Sequence, residues 1–154
     1  MLDSLADACA LSAELESCGL LLGIDGEIRS AVAVPNRSDD PGRRFLLDTA
    51  EQLAGSRIAR QAGMRIVGHY HWHPSGSALP SIEDCRAAEA QHVYWLILAA
   101  TDRRLWISRS GGSFAGAFDP VPLALCKALP CQSEKPGPIG APGDVDTSAG
   151  AISA

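Results

Sequence analysis

Two histidines and an aspartate lie within fourteen residues near the middle of this sequence, and together they could bind a metal ion. His71 and His73 follow an apolar segment, 64–70, that predicts a strand running out of the core. Side chains two apart on a strand share a face, so both imidazoles can reach one ion. Pro74 removes a backbone donor and ends the strand, and the turn residues after it send the chain back.

The helix expected after this turn supplies a third ligand. Ser81 predicts an N-cap, and Asp84, three residues later, lies in the first turn of a helix that continues to Ala90. Two histidines and one carboxylate leave a tetrahedral zinc ion with one open position, whereas structural zinc sites usually have four protein ligands. The set therefore predicts a catalytic zinc site.

Two alternatives to this ligand set remain. His69 shares the strand face of His71 and could be the third ligand, although its position further toward the core favours a packed side chain. In a purely structural interpretation, the histidines lie on the surface at a strand end, and Ser81 and Asp84 only cap a helix. The coincidence of the spacing, the proline and the capping pair favours the metal site.

The pattern H-x-H-P, six residues and then S-x-x-D resembles the signature of the JAMM (MPN+) zinc metalloproteases. His71, His73, Pro74, Ser81 and Asp84 match it without a gap, and the likeness to compact bacterial members covers residues 1–118. The resemblance implies one Zn²⁺ per chain, bound by the two histidines and the aspartate. It also implies that the serine hydroxyl donates a hydrogen bond to the developing oxyanion.

A glutamate before a short apolar strand is a further element of this family, and residues 16–23 resemble it. The resemblance makes Glu16 the general base, with Glu14 as the nearby competitor. Zinc lowers the pKa of a bound water to about 7, so a carboxylate beside it can take the proton at neutral pH. Without the histidine motif, Glu16 would be interpreted as an exposed carboxylate at a helix end.

One residue departs from the family pattern. The position between the two histidines is usually Ser or Thr, whereas this chain has Trp72. Because neighbouring side chains of a strand point to opposite faces, we expect the indole to face away from the metal. We also expect so bulky a group to reshape the substrate groove.

Helices and strands alternate along the chain in the order α-β-β-α-β-α-β-β-β. This order predicts an α/β protein, more closely an α+β mixed sheet with helices packed on it. The resemblance implies the MPN/JAMM fold, a cytidine-deaminase-like sheet flanked by helices. The boundaries that support the order are a helix before Cys18, a hairpin with an Asp25-Gly26 turn, a polar loop at 37–44, a helix capped by Asp48 whose end Gly63 follows, and strands at 93–100, 105–108 and 113–118.

Length and composition predict one domain and a tail, and the resemblance implies that the domain is a metalloprotease. The chain has 154 residues, of which 46% are hydrophobic, enough for one core. We place the domain at 1–131, with a last strand or short helix at 121–129. Residues 132–154 have no aromatic side chain and are rich in Pro and Gly, so we expect a disordered tail.

The net charge and the cysteines indicate which kinds of partner and which cellular compartment to expect. The net charge of −5 argues against nucleic acid as a partner, and no apolar run approaches the ~18 residues of a membrane span. Asp3 and Asp7 stand where a signal peptide would have lysines. The odd number of cysteines without a C-x-x-C pair suits reduced, packed thiols in a cytoplasm. The five are Cys9, Cys18, Cys85, Cys126 and Cys131.

The substrate class follows from the resemblance alone. It implies cleavage after the C-terminal Gly-Gly of a ubiquitin-like or sulfur-carrier protein. Two other classes stay open. The His-Pro-Ser-Gly run also resembles the JAMM-like domain of RadC-type proteins associated with DNA repair, and some MPN relatives are scaffolds without catalytic activity.

Overall fold

The protein is described here by a computed structural model that covers residues 2–10, 14–88 and 92–124. The helices and strands come in the predicted order. They are α1 (Leu2–Ala10), β1 (Cys18–Ile24), β2 (Glu27–Val34), α2 (Thr49–Gln61), β3 (Arg65–Trp72), α3 (Ile82–Ala87), β4 (Tyr94–Leu98), β5 (Arg103–Gly112) and β6 (Gly116–Val121). None of the helices in this part of the chain has the length and apolar character that a membrane crossing needs.

The strands form one six-stranded sheet in the order β2-β1-β3-β4-β5-β6. Strands β3 and β4 pair in parallel, and the other described pairs are antiparallel. The predicted mixed sheet is therefore confirmed. Strand β3, which leads into the histidines, lies in the middle of the sheet between β1 and β4, so its carboxyl end is held from both sides.

Alternation along β3 sends its side chains into two different cores. Tyr70 and Trp72 pack with Cys9 of α1, and the leucines of the neighbouring strands complete this cluster. On the other face, Trp95 and Ile97 pack in a cluster that also contains Trp106 and Phe118. His71, between Tyr70 and Trp72 in sequence, faces the second side, where its ring contacts Trp95.

The turn chemistry of the first hairpin is as predicted. Asp25 and Gly26 both have positive φ, 49° and 83°, the conformation that a two-residue type I′ turn requires. Asp48 caps α2 by accepting a hydrogen bond from the backbone N–H of Ala50 at 3.1 Å. Gly63 follows the end of that helix with φ 66°.

Several predicted boundaries are wrong. Helix α3 ends at Ala87 instead of Ala90, because Ala88 has an extended ψ of 111°. Strand β5 is longer than predicted, since residues 103–107 pair with β4 and residues 105–108 and Gly112 pair with β6. The last strand begins at Gly116, because residues 113–115 form the turn between β5 and β6. The predicted element at 121–129, the domain boundary at 131 and the tail at 132–154 lie largely outside the described residues.

We expect Gly68→Ala to lower the free energy of unfolding by ~2–3 kcal/mol. Gly68 pairs with Tyr94 across β3 and β4, and a Cβ at this position would overlap the backbone carbonyl of Tyr94. Backbone in the middle of a sheet cannot give way as a flexible side chain can. Gly63→Ala is the matched control, because a Cβ there meets nothing within 4 Å and only the φ of 66° is strained. Denaturant titration that gave equal losses for both variants would exclude the steric explanation.

Candidate metal centre

His71, His73 and Asp84 form a buried group at the carboxyl end of β3. The two Nε2 atoms are 2.8 Å apart, and each lies 3.2 Å from a different carboxylate oxygen of Asp84. Each residue offers one ligand atom, and the three atoms lie within 4.8 Å of one another. A single metal ion could therefore bind all three side chains.

The surroundings of His73 leave its Nε2 atom available as a ligand. Nδ1 is 2.8 Å from the carbonyl oxygen of Ser77. Because a carbonyl only accepts, this contact assigns a proton to Nδ1, and the neutral ring then presents a lone pair at Nε2. That lone pair faces the Nε2 atom of His71 and the carboxylate of Asp84, an arrangement that a shared cation would stabilise. Two imidazoles and a carboxylate are a donor set that suits Zn²⁺.

Burial and ion pairing act in opposite directions on these groups. Burial lowers the pKa of His71, whose ring cannot be hydrated when charged. Burial also disfavours charge on His73, but the hydrogen bond and the charge of Asp84 outweigh it and raise that pKa. Burial alone would raise the pKa of Asp84, yet its contacts with the two histidine rings and the hydrogen bond from the Ser81 backbone N–H outweigh burial and lower the pKa. Asp84 is therefore ionised at neutral pH, as a metal ligand must be.

Asp84 is held in place by a capping box at the start of α3. The Ser81 hydroxyl oxygen accepts from the backbone N–H of Asp84 at 3.0 Å, and the Asp84 carboxylate accepts from the backbone N–H of Ser81 at 2.7 Å. The capping pair predicted from the sequence is confirmed. Because the serine oxygen only accepts in this pair, its O–H remains able to donate to a ligand.

Glu16 lies just before β1 and is only 6% exposed, so the interpretation as an exposed helix-end carboxylate is wrong. Burial raises its pKa to about 7, while the charge of His73 lowers it and the charge of Asp84 raises it. Ser17, the next residue, accepts a hydrogen bond from the backbone N–H of Trp72 at 2.8 Å, so the Glu16 segment lies against the end of β3 that carries the histidines. A carboxyl with a pKa near 7 can both accept and return a proton at neutral pH. The competitor Glu14 is exposed.

The loop between β3 and α3 is fixed to the second core. Ala78 is fully buried, and its carbonyl accepts a hydrogen bond from the Trp106 indole at 3.1 Å. At the start of the loop, the backbone N–H of His73 donates to the carbonyl of Leu98 at 2.8 Å, which extends the pairing of β3 with β4. Both ends of the loop are therefore attached to the sheet that carries the histidines.

His69 does not belong to the metal-binding group of the described residues. Its ring packs against Trp95, with centroids 4.0 Å apart, and against Phe45 at 5.3 Å. Burial lowers its pKa to about 3, so the ring stays neutral. The prediction that His69 is a packed residue is confirmed.

The prediction for Trp72 is half right. The indole faces away from the metal-binding group and is 4% exposed in the cluster with Tyr70 and Leu98. Because it is enclosed in the core beneath α1, it cannot line a substrate groove, and the expectation that it reshapes one is wrong.

The described cysteines are packed thiols. Cys9 and Cys18 are buried, Cys85 is half-buried, and none of these three is in a disulfide. Burial raises the pKa of Cys18 to about 12, with a further contribution from the charge of Glu16. Such a thiol is protonated at neutral pH and is not a nucleophile, although it follows Glu16 closely in sequence.

Two contacts that the 36–46 loop makes with the site were not anticipated from the sequence. Phe45 stacks on His71, with ring centroids 4.5 Å apart and planes inclined by 22°. Asn36 donates a hydrogen bond to the carbonyl oxygen of Glu16 at 2.9 Å. The available signal was an aromatic residue and an asparagine at the two ends of a polar loop, which does not by itself indicate a site.

Solved structures share this fold. A protein from Desulfitobacterium hafniense matches with a TM-score of 0.70 at 24% identity, and the match covers 84% of this chain and 90% of that one. A JAB1/MPN domain protein from Archaeoglobus fulgidus matches with a TM-score of 0.50 at 20% identity over 79% and 88% of the two chains. At these identities the likeness establishes the fold alone.

Curated relatives are similar to this chain at 30% identity. The desampylase of Haloferax volcanii aligns over 102 residues, 64% of this chain and 73% of that protein. A probable TtuB-protein conjugate cleaving protease of Thermus thermophilus aligns over 87 residues, 56% of this chain and 57% of that protein. A histone deubiquitinase of Branchiostoma floridae aligns over 105 residues, 66% of this chain but only 12% of that much longer protein.

The sequence also matches a family profile over most of its length. Residues 1–108 fit the family described as prokaryotic homologs of the JAB domain. This range contains Glu16, both histidines, Ser81 and Asp84, so the buried group and its neighbouring carboxyl lie inside the matched region. The resemblance noted from the H-x-H-P motif is thereby confirmed, and the chain belongs to the family of prokaryotic homologs of the JAB domain.

Proposed function

We propose that this protein is a zinc metallopeptidase that hydrolyses the bond following the C-terminal Gly-Gly of a ubiquitin-like or sulfur-carrier protein. The observation that carries the proposal is the buried group of two imidazoles and an ionised carboxylate, next to the segment that carries the buried Glu16 carboxyl. A closed structural site would use four protein ligands, and this group provides three among the described residues. The arrangement therefore suits hydrolysis.

Zinc would be held by Nε2 of His71, Nε2 of His73 and the carboxylate of Asp84. When bound, it supplies an acidified water and polarises the carbonyl of the scissile bond. The capping box keeps the Asp84 carboxylate oriented, and the Ser77 carbonyl keeps the ring of His73 oriented, so the chain fixes two ligands before any metal arrives.

Glu16 and Ser81 have separate tasks in this proposal. The Glu16 carboxylate takes the proton of the attacking water and returns it to the leaving amine. The Ser81 O–H donates to the carbonyl oxygen as negative charge develops on it. The serine oxygen is already engaged by the backbone N–H of Asp84, which orients the hydroxyl beside the metal ligands.

The ubiquitin-like substrate class is supported by the relatives. Their names describe a protease that cleaves protein conjugates and a deubiquitinase, and each is 30% identical to part of this chain. The burial of the metal-binding group favours a substrate that is narrow at the scissile bond, because His71 is fully buried and the 74–80 loop is anchored beside it. A chain without side chains at the scissile bond reaches such a site most readily.

We expect replacement of the last glycine of the carrier by valine to block cleavage. A β-branched side chain beside the scissile carbonyl would hold that carbonyl away from its reactive position, and misplacement by about 1 Å can cost ~10²-fold in rate. The measurement incubates the zinc-loaded protein with ubiquitin-like Gly-Gly fusions, with their Gly-Val counterparts and with unrelated glycine-poor peptides.

Each other outcome of this experiment has a defined meaning. Equal cleavage of all three sets would point to a general peptidase. Failure to cleave any of them, with zinc bound and Glu16 intact, would favour the scaffold alternative. A separate measurement of DNA binding tests the RadC-type alternative. Salt-dependent binding would favour that alternative, which the net charge of −5 argues against.

A further inference from the structure

Asn36 uses its whole side-chain amide to join two segments beside the metal-binding group. Its NH₂ group donates to the carbonyl oxygen of Glu16 at 2.9 Å and to that of Arg44 at 3.1 Å. Its oxygen accepts from the backbone N–H of Ser38 at 2.9 Å and of Leu46 at 3.0 Å. Two donors and two lone pairs are the full capacity of an asparagine amide.

The two kinds of bond do different things. The accepted bonds and the donated bond to Arg44 close the 36–46 loop on itself. The donated bond to Glu16 instead ties that loop to a segment twenty residues earlier in the chain. Glu16 is held from the same loop a second time, because its backbone N–H donates to the carbonyl of Pro41 at 2.7 Å. The backbone of Glu16 is therefore bound to the loop at both its N–H and its C=O.

The loop is also attached to the proposed metal ligands. Phe45, between the partners Arg44 and Leu46, stacks on the buried ring of His71 at 4.5 Å. Besides the bond that the Trp72 backbone N–H donates to the Ser17 carbonyl at 2.8 Å, the 36–46 loop is thus a second restraint on how the Glu16 segment lies against the metal-binding group. Asn36 bonds to Glu16 on one side and to Arg44 and Leu46, which flank Phe45, on the other.

A restraint is needed because of the burial of Glu16. A carboxylate that is 6% exposed would gain hydration by moving outward. Glu14 and Leu15, directly before it, are exposed, so the segment has a path toward solvent. The hydrogen bonds at the Glu16 backbone oppose that movement.

We propose that Asn36 is a positioning residue, which holds the Glu16 carboxyl beside the metal-binding group through the donated bond to the Glu16 carbonyl. The kinetic consequence rests on the proposed function, whereas the restraint on the Glu16 segment does not. In the alternative explanation, Asn36 only folds its own loop, through the two accepted bonds and the donated bond to Arg44. Substitution separates the donated from the accepted bonds, and the exchange rate of the Glu16 amide reports on the Glu16 segment itself.

Asn36→Ala removes all four bonds, and the isosteric Asn36→Asp keeps the accepting oxygen but loses both donors. For both variants we expect kcat for the Gly-Gly fusion to fall ~10–100-fold with little change in KM or zinc content. The matched control is Arg37→Ala, which changes the adjacent residue and breaks only an exposed ion pair with Glu51 at 3.7 Å. Full activity in Asn36→Asp would overturn the proposal, because it would leave the loop-folding bonds as the whole role.

A double-mutant cycle shows whether the effect passes through the base. If Asn36 acts by placing the Glu16 carboxyl, Asn36→Ala should cause no further loss of rate in a Glu16→Gln background. Additive losses would mean that Asn36 acts on something other than the base, and the proposal would be wrong.

Amide hydrogen exchange tests the restraint without any substrate. In both Asn36 variants of the full chain, we expect the Glu16 amide to exchange at least ~10-fold faster, while the amides of Leu96 and Ile97 in β4 keep their wild-type rates. Unchanged protection of the Glu16 amide would refute the positioning role even if the enzyme were inactive on every fusion. Inactivity of the wild type together with faster Glu16 exchange would instead leave Asn36 as a restraint and reject the proposed substrate.

Discussion

Glutamine in place of Glu16 is expected to lower the rate of cleavage by ~10²–10⁴-fold while zinc stays bound. Glutamine has the shape of glutamate but cannot take up a proton near neutral pH. The backbone bonds of this residue to Asn36 and Pro41 do not involve its side chain, so the variant should occupy the same place. Steady-state kinetics and elemental analysis of the same preparation make the measurement.

Glu14→Gln is the matched control, because Glu14 is a carboxylate two residues earlier that is exposed to solvent. It should keep full activity. Loss of activity in Glu14→Gln and not in Glu16→Gln would mean that the base had been assigned to the wrong residue.

The Glu16→Gln substitution should not destabilise the metal-free protein. The pKa of Glu16 is raised from 4.5 to about 7 by burial, so the folded state binds a proton more tightly than the unfolded state. Stability contributed by this proton is present below pH 4.5 and is lost as the pH rises through about 7. The neutral glutamine side chain carries no such loss, so the melting temperature of the variant at pH 8 should equal or exceed that of the wild type. A clear decrease would indicate that the side chain had a structural role.

Alanine in place of Asp84 should lower the affinity of the protein for Zn²⁺ by at least ~100-fold. Changes to residues that merely support metal ligands cost 10–100-fold, and removing one of three ligands should cost at least as much. The two imidazoles would also lose the carboxylate that lies 3.2 Å from each Nε2 atom. Titration of the metal-free protein with Zn²⁺, followed by calorimetry or by competition with a chelator, measures the effect.

Two further variants separate metal binding from helix capping. Asp84→Asn keeps an oxygen that can accept from the Ser81 backbone, so it should restore much of any capping loss but not the affinity for zinc. Glu83→Ala, which removes an exposed carboxylate on the same helical turn, should bind zinc as the wild type does. Full zinc retention in Asp84→Ala would show that another donor completes the site.

The local parts of this site were predictable because their determinants are close in sequence. Strand alternation placed His71 and His73 on one face, and the spacing of Ser81 and Asp84 gave the capping box. The opposite direction of Trp72 followed from the same alternation. The order of helices and strands followed from periodicity and turn residues.

What could not be predicted depends on contacts between distant segments. The hydrogen bonds of Asn36 and the stacking of Phe45 on His71 arise only once the sheet order is set, and no local pattern specifies that order. The end of α3 and the start of β6 were missed for a related reason. Backbone conformation at Ala88 and in the 113–115 turn decides them, and short segments with mixed propensity do not encode it strongly.

The backbone N–H of Trp72 donates to the Ser17 carbonyl at 2.8 Å, and this bond joins two segments that lie far apart in the sequence. The three candidate ligands span fourteen residues, whereas Glu16 precedes His71 by 55. Closing a long loop costs chain entropy before its contacts form, so we expect the β1–β3 pairing to come later in folding than the turn that gathers the ligands. In a newly synthesised chain, the three metal ligands would then come together before Glu16 reaches them. Hydrolytic activity would then require the β1–β3 pairing, which brings the Glu16 segment to the ligands.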